Sequence, residues 1–428
     1  MQLNKTILIV ALMGTSIMAM AQTDKNSIDD KQNEKRKKVK KSEADFKDTE
    51  VNFLLNYYEQ DGDHSPVTGG RGTEKLDNIA PTFVVHVPMD SLSSLNLNFG
   101  IDIYSSASTN NIDFFEGAKS GASGKDVRAH LNAAYNRNLK HSGNEYGLMA
   151  GFSQEYDVSS FNFGGSYTIN SKDKNRSLSM DALYMNDKWT LIYPVELRGK
   201  EGFEGLKDDT RTTMKLGLSY SQVINKRLQA LFSLEVVSQS GLLSTPFHRF
   251  YFDNASVGDS NNDLMQKSHI EMLDDNRLKI PISMRWNYYL NDFMRVRTFY
   301  RYYSDSWGIS AHTASIELPM QVTPSLIASP FFRYHTQTAA DDFYEFGQAS
   351  NTQRPEFYTS DYDLSDLNST KIGLGLQYSP VMGVGNFKSP FRKNKQAQLK
   401  SIGLRTAYYD RSDGLSAWLV SLDFAFTF

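Results

Sequence analysis

The sequence predicts an all-β fold: a transmembrane antiparallel β-barrel of about 16 strands, with short periplasmic turns and long extracellular loops. Two patterns and one exclusion predict it. Apolar and polar residues alternate at period two in segment after segment, as they do where one strand face meets lipid and the other meets water. The connections between these segments alternate between short turns and long polar loops. Past the N-terminal segment, no apolar run is long enough to cross a bilayer as a helix.

The first element is a leader. "MQLNKTILIVALMGTSIMAMAQ" places Lys5 before an apolar run from Ile7 to Met20 and ends in an Ala19-Met20-Ala21 cleavage pattern, so residues 1–21 read as a signal peptide. Residues 22–49 are charged and nearly free of apolar side chains. A segment that cannot bury a core is expected to form a flexible periplasmic tail. The barrel is expected to occupy residues 50–428.

Its strands start near Val51, Thr82, Leu95, Val127, Tyr146, Phe161, Leu178, Thr213, Leu228, Leu278, Met294, Ala311, Leu326, Lys371, Ser401 and Leu415. "LNLNFGIDIY" shows the pattern: Leu95, Leu97, Phe99, Ile101 and Ile103 share one face, and Asn96, Asn98, Gly100 and Asp102 the other. Helical periodicity competes nowhere. The long polar loops fall at 60–79, 105–126, 187–211, 238–276 and 337–369. Tyrosines and tryptophans such as Tyr57, Tyr58, Tyr167, Tyr220, Trp286 and Tyr334 sit where strands would cross the headgroup region. The last strand, "AWLVSLDFAFTF", puts Trp418, Val420, Leu422, Phe424, Phe426 and Phe428 on one face. That face is expected to meet lipid while the strand closes against the first one, leaving no open edge in the bilayer.

Composition excludes other classes. The chain has no cysteine, so disulfides, iron–sulfur clusters and thiol nucleophiles are absent. A net charge of −3 gives no electrostatic case for nucleic acid. No cofactor motif is present, and no glycine loop opens a helix to cradle phosphate.

With apolar faces outward, the opposite faces line a lumen. Lys279, Arg285, Arg295, Arg297, Arg301, Arg333, Lys371 and Arg405 then make one wall basic, with Glu317 as its inward carboxylate. Asp102, Glu155, Asp181 and Glu235 make the other wall weakly acidic, against Arg128 and Lys215. Such walls set a transverse field across a water-filled lumen. The arginines either select anions or pair with loop acids folded inward. The inward glycines, Gly147, Gly151, Gly164, Gly217, Gly373, Gly375 and Gly403, predict strong curvature or the close approach of a loop.

Chemistry in the loops is thin. Asp61, Asp63 and His64 around Gly62 lack the rest of a calcium loop and read as a solvated turn, so no metal site is assigned. Asp341, Asp342, Asp361, Asp363 and Asp366 read as solvated acids, with cation bridging as the alternative. His312 and His335 lie on neighbouring strands, but parity sends His335 to the lumen and His312 outward, and no serine is placed with them. No catalytic residue is assigned, and an outer-membrane hydrolase is a minor alternative.

Several stretches together resemble one family: "VNFLLNYYEQDGDHSPVTGGRGTEKL", "DVRAHLNAAYNRN", "GLLSTPFHRFYF" and above all the run from Tyr300 to Thr313. They are similar to a widespread family of Gram-negative outer-membrane proteins catalogued only as a domain of unknown function, from about residue 50 onward. The resemblance implies a cell outer membrane location and an aromatic C-terminal assembly signal, here Trp418, Leu422, Phe424, Phe426 and Phe428, read by the barrel-assembly machinery. Relatives are often encoded near periplasmic flavin transferases and thioredoxin-like proteins, which implies a periplasmic or surface redox partner. Expected surroundings are outer-membrane lipid and lipopolysaccharide. Two functions stand open: a channel passing small anionic solutes, and a plugged barrel acting as scaffold or conduit for a redox or electron-transfer partner.

Overall fold

The computed structural model describes residues 48–106, 125–203, 207–389 and 396–428; the predicted signal peptide and nearly all of the predicted tail lie outside them. Sixteen antiparallel strands follow one another around a closed barrel. They are β1 (Glu50–Asp61), β2 (Leu76–Pro88), β3 (Ser93–Ser106), β4 (Lys125–Asn138), β5 (Glu145–Gln154), β6 (Val158–Asn170), β7 (Arg176–Thr190) and β8 (Asp208–Asn225). There follow β9 (Leu228–Gly241), β10 (Asn276–Tyr289), β11 (Arg295–Asp305), β12 in two pieces (Ser310–Glu317 and Met320–Thr323), β13 (Leu326–Gln337), β14 (Leu367–Tyr378), β15 (Gln396–Arg411) and β16 (Ser416–Thr427). Each pairs with the next, and β16 pairs with β1 from Glu50↔Thr427 to Asp61↔Ser416. Thr49 and Phe428 extend this ladder by exchanging backbone hydrogen bonds of 3.2 and 2.9 Å. Closure satisfies every edge, which a bilayer demands because an unpaired amide in hydrocarbon costs several kcal/mol.

The exterior follows from the alternation. Leu148, Phe161, Met214, Leu216, Phe232, Ile282, Phe332, Ile372 and Trp418 are exposed large apolar side chains on outward positions. Across the closure an aromatic ladder runs Phe99–Phe83–Phe53–Phe424, with ring centroids 5.2, 4.8 and 6.2 Å apart. Cross-strand aromatic pairs of this kind fix register as well as adding affinity for lipid. Tyr57, Tyr167, Tyr220, Trp286, Tyr288, Tyr334 and Tyr378 are exposed with this outer face. Tyr58 does not join them; it points inward and lines a lumenal cavity.

Strand ends differ from expectation. β2 starts at Leu76 and β8 at Asp208, well before Thr82 and Thr213. Their first residues put polar side chains such as Asp77 and Asp209 on exposed positions and leave no clean alternation to read. Helix is not wholly absent either. Asn261–Lys267 forms one, α1, capped by a reciprocal Ser260–Asp263 box.

Most of the largest fully buried side chains lie in the extracellular connections. Phe250 and Phe252 are fully buried with Ala349, against Tyr344 and Tyr358. Leu273, Trp307, Ile309 and Ala340 form a second cluster with Leu243, Phe343 and Leu364. These residues come from the connections β9–β10, β11–β12 and β13–β14, which therefore fold into a cap with its own core. Two short strands within the β9–β10 connection, Arg249–Phe250 and His269–Ile270, pair with each other.

Candidate functional site

Strand parity sets the predicted basic residues on the face opposite the exposed apolar side chains, and the geometry divides them. Glu317 on β12 takes two arginines: Arg405 on β15 at 2.9 Å and Arg297 on β11 at 3.5 Å. Arg405 also lies over the Phe331 ring at 3.8 Å. Arg285 lies over Phe299 and Arg295 over Tyr289, each within 6 Å. Lys279 stands opposite Asp305 across the β10–β11 pair. Arg301, Arg333 and Lys371 have no ion-pair partner among the described residues.

Those three converge. Arg333 and Lys371 face each other directly across β13 and β14. Arg301 stands opposite Thr313, which stands opposite His335 on the next strand. All three cations line a cavity of 510 Å³ with Arg277, His335, Gln337, Tyr58, Tyr409 and Ser369. Thr313 Oγ1 and His335 Nδ1 are 2.8 Å apart, and His335 Nε2 lies 3.2 Å from Gln337 Oε1, so the imidazole is held in place. Arg301 Nε is sealed from solvent and has no hydrogen-bond partner. A buried guanidinium nitrogen without an acceptor is an unmet demand that an anion can meet. The 3-10 turn Tyr362–Leu364 of the cap contributes Asp363 and Leu364 to the cavity, and Arg411 holds Asp363 there. Below, Arg297 and Arg405 keep 45% and 47% of their side-chain surface accessible.

The acidic wall is only partly paired, one lysine serving two of its carboxylates. Lys215 reaches Asp181 at 3.0 Å and Glu235 at 3.5 Å, and Asp102 lies 3.8 Å from His130. Glu155 is not on a strand; it follows the end of β5 in the rim turn, beside Asp126 and Asp157. Burial first, then the Asp157 and Asp102 charges, pushes its carboxyl up to about 7. Most of the predicted inward glycines, Gly147, Gly151, Gly164, Gly217 and Gly373, are closely approached by neighbouring strands, whereas Gly375 has room for a side chain. A Cβ on Gly217 would strike the Asp181 carboxylate, and one on Gly151 would strike Asn132 and Asn162. Glycine therefore leaves room for inward polar side chains to lie across the adjacent strand.

The cap is pinned by a buried ion pair. Arg249 binds Glu196 in bidentate fashion, Nε to Oε1 at 2.6 Å and Nη2 to Oε2 at 2.9 Å, and donates from Nη1 to the Val67 carbonyl at 2.8 Å. Three connections, β1–β2, β7–β8 and β9–β10, meet at this one guanidinium. Burial opposes the Glu196 charge, but Arg249 outweighs it and holds the carboxyl below the usual carboxylate range. His64 is not solvated as expected; its Nδ1 lies 3.0 Å from the Gly70 carbonyl oxygen and its ring stacks on Tyr362 at 3.8 Å. Arg71 lies over Phe346 at 4.4 Å. His312 points outward, 2.8 Å from the Tyr300 hydroxyl, so it shares no site with His335. Sequence reasoning missed Arg249, Glu196, His248 and Glu271, all in segments with no periodicity to mark burial; the "FHRFYF" run was their one visible sign.

A closed, even-stranded antiparallel barrel with an apolar outer belt is an outer-membrane β-barrel, set in the outer membrane of a Gram-negative envelope among its lipids and lipopolysaccharide. The chain belongs to the family described as "Protein of unknown function (DUF3570)", whose model matches residues 9–413. No curated protein matches. Among solved structures, the chain is similar to the ferric enterobactin receptor PfeA of Pseudomonas aeruginosa, with 12% identity over 85% of this chain and 53% of that one and a TM-score of 0.41. It is similar to the siderophore receptor PirA of Acinetobacter baumannii, with 10% identity over 84% of this chain and 53% of that one and a TM-score of 0.40. It is similar to OpdK of Pseudomonas aeruginosa, with 8% identity over 89% of this chain and 99% of that one and a TM-score of 0.36. The chain spans about half the length of the two receptors. Likenesses at this level carry no functional argument.

Proposed function

We propose that this barrel is an outer-membrane channel for small anionic solutes, with Arg301, Arg333 and Lys371 as the groups that select them. The observation carrying this reading is the convergence on one lumenal cavity of three cations without an ion-pair partner among the described residues, one of which, Arg301, has a buried Nε that lacks an acceptor. Cations fixed in a low-dielectric shell attract anions and exclude cations from the same space. The accessible arginines beneath support a continuous aqueous path. The role is transport, with no catalytic step. Purified barrel in a planar bilayer should conduct, and its reversal potential in a salt gradient should have the sign of anion preference. Cation preference in a conducting barrel would refute the reading.

The interlocked cap favours a second reading, in which the barrel is closed at its extracellular mouth and serves as scaffold or conduit for a periplasmic or surface redox protein. A barrel that conducts nothing until its cap is loosened supports this one. In both readings the face of Trp418, Leu422, Phe424, Phe426 and Phe428 is the signal recognised by the barrel-assembly machinery.

A further inference from the structure

Apart from the lumen, the cap gathers a second constellation. His248 and Glu271 come from the β9–β10 connection and Asp361 from the β13–β14 connection, and one ligand atom of each lies within 4.8 Å of the others. His248 Nδ1 stands 3.7 Å from Glu271 Oε1 and 4.0 Å from Asp361 Oδ2. These separations exceed hydrogen-bond range. The same Nδ1 is sealed from solvent and has no hydrogen-bond partner, although it faces two carboxylates. Two ligands of one zinc-like ion, each about 2.0–2.2 Å from it, stand roughly 3.4 Å apart in tetrahedral geometry. The two gaps from the imidazole are wider by about half an ångström, within the reach of small side-chain movements.

The surroundings are built as an outer shell is built. Thr359 Oγ1 donates to Glu271 Oε1 at 2.5 Å, and the Thr245 amide donates to Glu271 Oε2 at 2.6 Å. The Asp363 amide donates to Asp361 Oδ1, leaving Oδ2 to face the imidazole. The two carboxylates are thus oriented before any ion arrives. No Lys or Arg forms an ion pair with Glu271 or Asp361 among the described residues. The Glu271 side chain is 3% exposed and that of Asp361 23%, so the cluster is enclosed with one open side. Two carboxylates enclosed with one imidazole leave uncompensated negative charge, which a divalent cation removes.

We propose that His248, Glu271 and Asp361 form a binding site for a divalent first-row transition metal ion of the zinc type, which clamps the β9–β10 connection to the β13–β14 connection over the mouth. One imidazole with two carboxylates suits such an ion better than calcium or magnesium, which prefer oxygen alone. Water completes the coordination from the open side.

Zn²⁺ is the probe. Full-length barrel in detergent, stripped with chelator, should bind one equivalent of Zn²⁺ in calorimetry against excess Ca²⁺ and Mg²⁺. H248Q, E271Q and D361N should each weaken binding by more than the roughly 10–100-fold that losing an outer-shell partner costs. X-ray absorption at the zinc edge of the wild-type barrel should report one imidazole with oxygen ligands, a readout that stands even where a variant fails to fold. Hydrogen exchange across 243–250 and 356–364 should slow on adding Zn²⁺. No binding by the wild type, unchanged binding in the three variants, or a zinc shell without imidazole would each overturn the proposal.

Discussion

Replacing Arg301 and Arg333 with glutamine removes two of the three cations in the lumenal cavity that lack an ion-pair partner among the described residues, while keeping a polar side chain at each position. Two charges 4 Å apart attract by about 1 kcal/mol even at the dielectric constant of water, and more in a confined lumen. Each lost cation should therefore lower anion occupancy by about fivefold, and the pair by about 25-fold, since 1.4 kcal/mol is tenfold. Screening does not hide the effect, because the Debye length at 0.1 M salt is about 10 Å, longer than the contact. The assay is the reversal potential of single channels in a salt gradient, repeated at low and high ionic strength. E317Q serves as the opposite perturbation: it frees Arg297 and Arg405 from their shared carboxylate and should strengthen anion preference. An unchanged permeability ratio in the double variant would mean that the cavity is not on the ion path. A shift of the same sign in E317Q and the double variant would refute the electrostatic reasoning itself.

Breaking the buried pair at Arg249 by R249M leaves the Glu196 carboxylate enclosed and alone, at a cost of about 3–5 kcal/mol. Protease sensitivity of the 242–275 connection should rise steeply while the heat-modifiable barrel persists; unchanged sensitivity would show that the cap does not depend on this pair. Glu155 binds its proton more tightly folded than unfolded, so between pH 4.5 and about 7 the folded state holds a proton that the unfolded chain has released, and stability falls as pH rises through that window. E155Q should flatten the slope of thermal stability against pH; an identical slope would assign it to other groups. Replacing Phe424, Phe426 and Phe428 with serine costs on the order of 2 kcal/mol of apolar contact per residue and breaks the aromatic ladder to Phe53. The yield of heat-modifiable barrel in cells should drop, and a normal yield would count against the terminal strand as an assembly signal.

Period two made the barrel legible because lipid and water impose opposite demands on alternate residues. Leu95 to Asp102 and Trp418 to Phe428 could be assigned to faces from the alternation alone, and the same alternation sets Lys279 to Arg405 on the face opposite the apolar one. Which of those arginines stay unpaired was not legible. Glu317 reaches Arg405 because the barrel brings β12 and β15 to one stretch of wall, a relation no local pattern encodes. The cap was the least legible part. Arg249 meets Glu196 and Val67 across separations of 53 and 182 residues, and its neighbours alternate with no period. His64 looked like a solvated turn because its stacking partner, Tyr362, lies almost the length of the barrel domain away in sequence.

The shared core of the extracellular connections also bears on how this surface can change. Exposed loops of a cell-surface protein can ordinarily vary one at a time, and so can evade phage or antibody without disturbing the rest. Here Phe250 and Phe252 have no surface of their own, and Arg249 ties three connections at one point. A variant in the 62–75 segment that loses the Val67 contact is felt by Glu196 and by the segment around Phe250. Exchange of a single connection between two relatives should therefore disrupt the cap, whereas exchange of the interlocked connections as one block should preserve it. The outer face then varies as a unit, closer to a small folded domain carried on the barrel than to a set of independent loops.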